Sequence, residues 1–196
     1  IDLDGKLTGT TSVTLDATGA AKDISGTDID IEGGDVTLTG ALTATDSALI
    51  VATTGDAILH DDLTSSGTGT GSITIAAEEG KATTAGLDAG TTIDVTAHDI
   101  EINGVTRADG VVTMTAQSDD LVLHETVTGS GLALEATAGD VSADKTLTAT
   151  TGSVVIDALL GLADVKVINA ATDLAITADD IDLDGKLTGT TSVTLD

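Results

Sequence analysis

Two apolar residues separated by one other residue recur along the whole chain. They stand at Val13/Leu15, Ile29/Ile31, Leu49/Val51, Ile73/Ile75, Ile93/Val95, Val112/Met114, Leu132/Leu134, Val154/Ile156, Leu174/Ile176 and Val193/Leu195. Successive pairs are 16, 20, 24, 20, 19, 20, 22, 20 and 19 residues apart, a mean of 20. Apolar-x-apolar is the period-two mark of a strand with one buried face, and the wealth of Thr, Val and Ile agrees with it. A recurrence of this length is the signature of stacked repeat units, each too small to bury its own core.

Within each unit a second triplet follows the first by seven to eleven residues: Val36/Leu38, Ile100/Ile102, Leu121/Leu123, Val165/Val167 and Ile181/Leu183, with weaker forms at Ala57/Leu59 and Val141/Ala143. A third apolar position comes next, at Leu42, Leu63, Leu87, Val105, Val127, Leu147 and Leu187. Gly, Asp, Thr and Ser separate them, as turns require. The 16-residue unit over 13–27 is expected to have lost part of a side, with Ile24 as its second strand. No i, i+3, i+4 pattern persists anywhere; residues 158–165 (ALLGLADV) are the one place where a short helical turn is expected.

Three short strands in about 20 residues describe one triangular coil of chain, each strand pairing in parallel with its equivalent about 4.8 Å away in the next coil. Coils of 16 to 24 residues do not suit a left-handed solenoid with strict hexapeptide turns, so the fold expected is all-β, a right-handed parallel β-helix. The alternatives are a β-roll and an array of β-sandwiches, two to each long period; hairpins of a sandwich give no reason for a 20-residue recurrence in constant phase.

A longer period encloses the short one. Residues 1–16 read IDLDGKLTGTTSVTLD, and residues 181–196 repeat them letter for letter. Residues 1–180 are therefore expected to be one full repeat of nine coils, and 181–196 the start of the next, in a tandem array of which this sequence is an excerpt. Nine coils would advance about 43 Å.

Composition narrows function. The chain has no Phe, Trp, Tyr, Pro or Cys, yet 40% of it is hydrophobic, so its core must be built of Val, Ile, Leu and Ala in thin layers. The formal net charge of −26 makes nucleic acid and anionic lipid unfit partners. It favours solubility in a long polymer. Without Cys there are no disulfides and no thiolate chemistry. No apolar run reaches membrane-spanning length, so membrane insertion is not expected.

The stretches 33–40 (GGDVTLTG), 72–76 (SITIA), 87–97 (LDAGTTIDVTA) and 132–141 (LALEATAGDV) share a Gly-Asp-apolar-Thr-apolar style. In this the chain resembles filamentous-haemagglutinin-type adhesins and related giant exoproteins. The resemblance is compositional and spans the chain; it implies an exported, elongated, extracellular or cell-surface fibre. Such adhesins are usually rich in Asn, whereas this chain has only Asn103 and Asn169.

The most ordered polar feature is an aspartate expected just before the second strand, at Asp23, Asp35, Asp56, Asp99, Asp120, Asp140, Asp164 and Asp180, with Lys81 in the remaining unit. Stacked, these would form a column. A turn aspartate accepting backbone N–H bonds explains it most simply; a ladder of calcium ions is the alternative reading, although neither the Gly-rich calcium β-roll repeat nor a D-x-D-x-D-G loop occurs. Asp16 with Glu32, and Glu135 with Asp157, form a second acidic clustering after the first strand; this and residues 179–184 (DDIDLD) are expected to be solvated faces. His60, His98 and His124 lie on non-adjacent units, which offers no convergent zinc ligands. With Arg107 as the sole arginine and no aromatic residue to stack on a sugar, no catalytic residues are assigned and an enzyme is not expected. Thr37/Thr39, Thr113/Thr115, Thr126/Thr128 and Thr148/Thr150 are expected on different sides of the coil, not as one array.

These readings converge on a non-enzymatic building block of a long extracellular filament or stalk, whose partners are further copies of the same repeat, end to end, and a cell surface or matrix. An adhesin module gripping a glycan or receptor through the loop over 61–71, and a surface lattice, are the competing expectations.

Overall fold

The computed structural model describes residues 23–196 in full and, of the preceding residues, the backbone pairing of the strands Leu7–Thr8, Ser12–Asp16 and Gly19–Ala21. Side chains of Val13, Leu15 and Asp16 lie outside the described residues. Among the described residues every regular element is a strand, and every pairing between strands is parallel. The chain winds as a β-solenoid of about nine turns.

Each coil has three faces. The first face stacks Val13, Ile29, Ala48, Ile73, Ile93, Val112, Leu132, Val154, Leu174 and Val193 in one continuous register. The second stacks Gly19, Val36, Ala57, Ala82, Ile100, Leu121, Val141, Ala163 and Ile181. The third stacks Leu7, Ile24, Leu42, Leu63, Leu87, Thr106, Val127, Leu147, Ile168 and Leu187. Inward residues from Ile24 to Ile176 form a single buried column of core, almost wholly aliphatic. Each Ile or Leu so buried contributes about 1.5–3 kcal/mol.

Two columns of small residues close the corners. One runs Gly33, Ala52, Ala77, Ala97, Ala116, Ala136 and Ala158 at the end of the first face. The other runs Ala44, Ser65, Ala89, Ala108, Gly129, Ala149 and Ala170 at the end of the third. Where two faces converge, backbone approaches backbone and a longer side chain would enter the neighbouring face's space. This is the physical reason that a core of this section carries no aromatic residue.

Five expectations are corrected. Leu49 and Val51 are not the inward pair of their coil: Leu49 is 36% exposed, while Ala48 and Ile50 are buried between Ile29/Ile31 and Ile73/Ile75. In a run of five apolar residues, alternation alone gives no phase; the neighbouring coils set it. On the second face Ala163/Val165 point inward, not Val165/Val167. On the third face Val105 is 54% exposed and Thr106 takes its place in the column. In the short coil the second strand is Gly19–Ala21, and Ile24 opens the third face. Residues 158–165 form no helical turn; they lie inside the strand Val154–Ala170, which bends around all three faces.

The duplicated segments take the same faces. Leu7–Thr8 and Leu187–Gly189 are both third-face strands, and Ser12–Asp16 and Ser192–Leu195 both first-face strands. A 180-residue step therefore returns the chain to the same angular position.

Candidate functional site

The corner leading into the second face carries the predicted aspartates, with two exceptions. The column reads Asp35, Asp56, Lys81, Asp99, Asp120, Asp140, Leu162 and Asp180. Asp23 sits at another corner, immediately before the third-face residue Ile24, where Asp62 has the equivalent place before Leu63. Asp164 lies within the second-face strand, outward between Ala163 and Val165, and Leu162 fills the column in its coil.

The column has a definite job in the fold. Asp35 Oδ1 accepts the backbone N–H of Asp56 at 3.0 Å, Asp56 Oδ1 that of Lys81 at 2.9 Å, Asp120 Oδ1 that of Asp140 at 2.8 Å, and Asp140 Oδ1 that of Leu162 at 2.7 Å. Each carboxylate serves the coil above it. The expected turn role is thus real but directed between coils: a side-chain oxygen replaces the carbonyl that the bent backbone cannot present. At the other corner Asp23 accepts from Ala41 N–H at 3.1 Å and Asp62 from Gly86 N–H at 2.8 Å. Above Leu162 the relay stops, and Asp180 Oδ1 bonds its neighbour Ile181 N–H at 3.0 Å. The chain turns tightly here. At Gly161 a Cβ would run into the carbonyl of Gly139 and the carboxylate of Asp140.

Beside this column a series of acidic side chains alternates along the axis with Lys81, His124 and Lys166. Lys81 Nζ lies 3.0 Å from Asp99 and 2.7 Å from Glu101. His124 Nε2 faces Glu101 at 3.7 Å and its Nδ1 meets Asp144 at 3.0 Å, and Asp144 in turn meets Lys166 Nζ at 3.1 Å. The Glu101 bond, with Asp99, holds the Lys81 ammonium above its ordinary value against the opposing effect of burial. Lys81 holds Glu101 below its own ordinary value, and the hydrogen bond from His124, then Lys166, does the same for Asp144. Residues chosen one by one from the sequence do not show this series, since its members are about 20 residues apart.

Elsewhere the predicted residues stay apart. His60 and His98 are exposed; contrary to expectation His98 lies on the coil next to that of His124, but at a different corner, where its carbonyl accepts the Ser118 N–H. Glu135 and Asp157 are register partners on the first face, as are Asp16 and Glu32 by backbone. Thr128 and Thr148 do stack, contrary to expectation, but Arg107 precedes them in that column and Asn169 follows. Arg107 borders a groove of 370 Å³ shared with Asp62, Thr64, Asp88 and the exposed Val105. The loop of the longest coil is shorter than the expected 61–71, because Leu63–Ser65 is a strand; it turns through Gly69 at a φ of 83° and is fastened by Thr70 Oγ1 donating to Asp46 at 2.7 Å. Among the described residues no group of three or more His, Cys, Asp or Glu could hold a metal ion. Comparison with family models, with curated proteins and with solved structures gave no match.

Proposed function

We propose that the protein is a structural segment of a long extracellular β-solenoid filament or stalk, bearing load without catalysis. The observation that carries this reading is the return of the strands Leu187–Gly189 and Ser192–Leu195 to the faces held by the strands of identical sequence at Leu7–Thr8 and Ser12–Asp16, with parallel pairing continuing on each face between them. A repeat whose length is a whole number of coils can be copied indefinitely without interrupting a ladder or a core column. Stability in such a rod is a sum of coil terms and coil–coil interfaces, and the corner aspartates extend hydrogen bonding to places where the backbone bends. Net negative charge would hold neighbouring rods apart in solution.

Electron microscopy of chains carrying one, two and four repeats tests the reading. Unbranched rods that lengthen by about 43 Å per repeat at constant width are expected. Compact particles, or width growing with repeat number, would contradict it.

A further inference from the structure

Exposed apolar side chains gather at one part of the first face. Val155 and Leu159 are 42% and 48% exposed, Leu160 beside them is 68% exposed, and Val111, two coils below at the start of the same face, is 42% exposed. Between Val111 and Val155 lies a groove of 270 Å³ lined by Gly131, Ala133 and Gly152. Packing does not demand a glycine at 131: a Cβ there would meet only the Ser153 carbonyl at 3.4 Å and Val111 Cγ2 at 3.9 Å, ordinary contact distances. Its missing side chain leaves the groove open.

Inward and outward residues alternate along Val154–Ala158, so Val155, Asp157 and Leu159 form one outward row at intervals of about 6.6 Å. Asp157 pairs in register with Glu135 on the coil below. Among the described residues no Lys, Arg or His lies within ion-pair distance of either carboxylate. Asp157 Oδ1 is shielded from solvent and has no hydrogen-bond donor. A carboxylate that has lost part of its hydration and gained no cation is costly to hold, and an incoming cation offsets that cost.

We propose that this row docks an extended cationic segment of another protein, of the pattern apolar-x-Lys/Arg-x-apolar. Alternate side chains of an extended segment have the spacing of the row. The first apolar side chain enters the groove beside Val155, the cation lies over Glu135 and Asp157, and the second apolar side chain rests against Leu159 and Leu160. Charge selects the partner. The first-face strands from Asp28 to Ala178 carry no Lys or Arg, whereas Lys81, Arg107, Lys145 and Lys166 stand on the other two faces or at the corners leading to them. A second copy would set a chain of net charge −26 against this face, and like charges directly opposed are destabilising. The docking needs only the coils over 111–160, so it is independent of the number of repeats in the rod.

Fluorescence anisotropy of the dye-labelled peptide GVTKTLG, titrated with the full-length protein in about 0.15 M salt, tests the docking. Saturable binding with a Kd below about 1 mM is expected. Asp157→Asn should weaken it about fivefold. Asp94→Asn removes a charge from the same face three coils below and should leave it unchanged. Gly131→Val fills the groove and should also weaken binding about fivefold. The peptide GVKTTLG, with its Lys turned to the opposite side of the strand, should bind about fivefold more weakly than GVTKTLG. Circular dichroism of each variant verifies that the β-fold persists. Equal losses for Asp157→Asn and Asp94→Asn, or equal binding of the two peptides, would show attraction to bulk charge only and overturn the proposal, as would no saturation below about 1 mM. Self-association of the protein that Leu159→Ser abolishes would give the row to a second copy and overturn it too.

Discussion

Residues 48–52 offer the sharpest test of the fold's register. Ile50 is wholly buried, stacked between Ile31 and Ile75, while its neighbour Leu49 is 36% exposed between the outward Asp30 and Thr74. Ile50→Ala removes three carbons from a column whose neighbours are pinned by ladders on both sides, so the site collapses poorly; a cost of about 2–5 kcal/mol is expected. Leu49→Ala removes the same number of carbons from a solvated face and should cost about 0.5 kcal/mol. With a urea m-value of about 2 kcal/mol/M, the midpoint should fall by about 1–2.5 M for Ile50→Ala and about 0.25 M for Leu49→Ala. No aromatic residue is present to fluoresce, so far-UV circular dichroism is the probe. Equal shifts, or a larger shift for Leu49→Ala, would refute the register and with it the alignment of this coil.

Three further outcomes are expected. Thr106 is fully buried in the third-face column between Leu87 and Val127, and its hydroxyl has no hydrogen-bond partner; Thr106→Val should stabilise the protein by about 1 kcal/mol, read as a higher urea midpoint. Asp120→Ala deprives the Asp140 N–H of its acceptor and should cost about 1 kcal/mol by the same measure, whereas Asp120→Asn keeps a side-chain carbonyl oxygen there and should recover most of it. Glu101 and Asp144 are held below their ordinary values of 4.5 and 3.8, so their pairings contribute fully above those values and fade as pH falls through the lower folded ones; Lys81 is held above 10.5, and its contribution fades as pH rises past that. Urea midpoints against pH should therefore show an acid limb and an alkaline limb, and Lys81→Met should flatten the alkaline limb and the Glu101 part of the acid one.

Much of this architecture is legible in the sequence because polar residues separate the inward ones. Ile93-Asp-Val95 and Val112-Thr-Met114 can be phased by inspection, and the recurrence of such triplets gives the coil. Legibility fails where chemistry and position part company. Ala48–Ala52 is apolar throughout, so only contact with adjacent coils chooses its face. Val105 and Thr106 are inverted relative to their hydropathy, since Thr106 aligns with Leu87 and the ladder outweighs one buried hydroxyl. Gly19–Ala21 holds no branched residue to announce a strand, yet it pairs with Val36–Leu38. The aspartate column is visible as a recurring residue before a strand. Its direction, from one coil to the next, is not, because the sequence records which residues precede a strand and not which backbone N–H lies above them.

The winding of the chain into stacked parallel coils is tested most directly by proximity along one outward column. Thr113, Ala133 and Val155 occupy consecutive coils of the first face in register, about 4.8 Å apart. Nitroxide spin labels placed at all three, through cysteines in this cysteine-free chain, should collapse the usual three-line electron paramagnetic resonance spectrum toward a single exchange-narrowed line. Three sharp, independent lines would show that these residues do not stack, and the solenoid would fall with them.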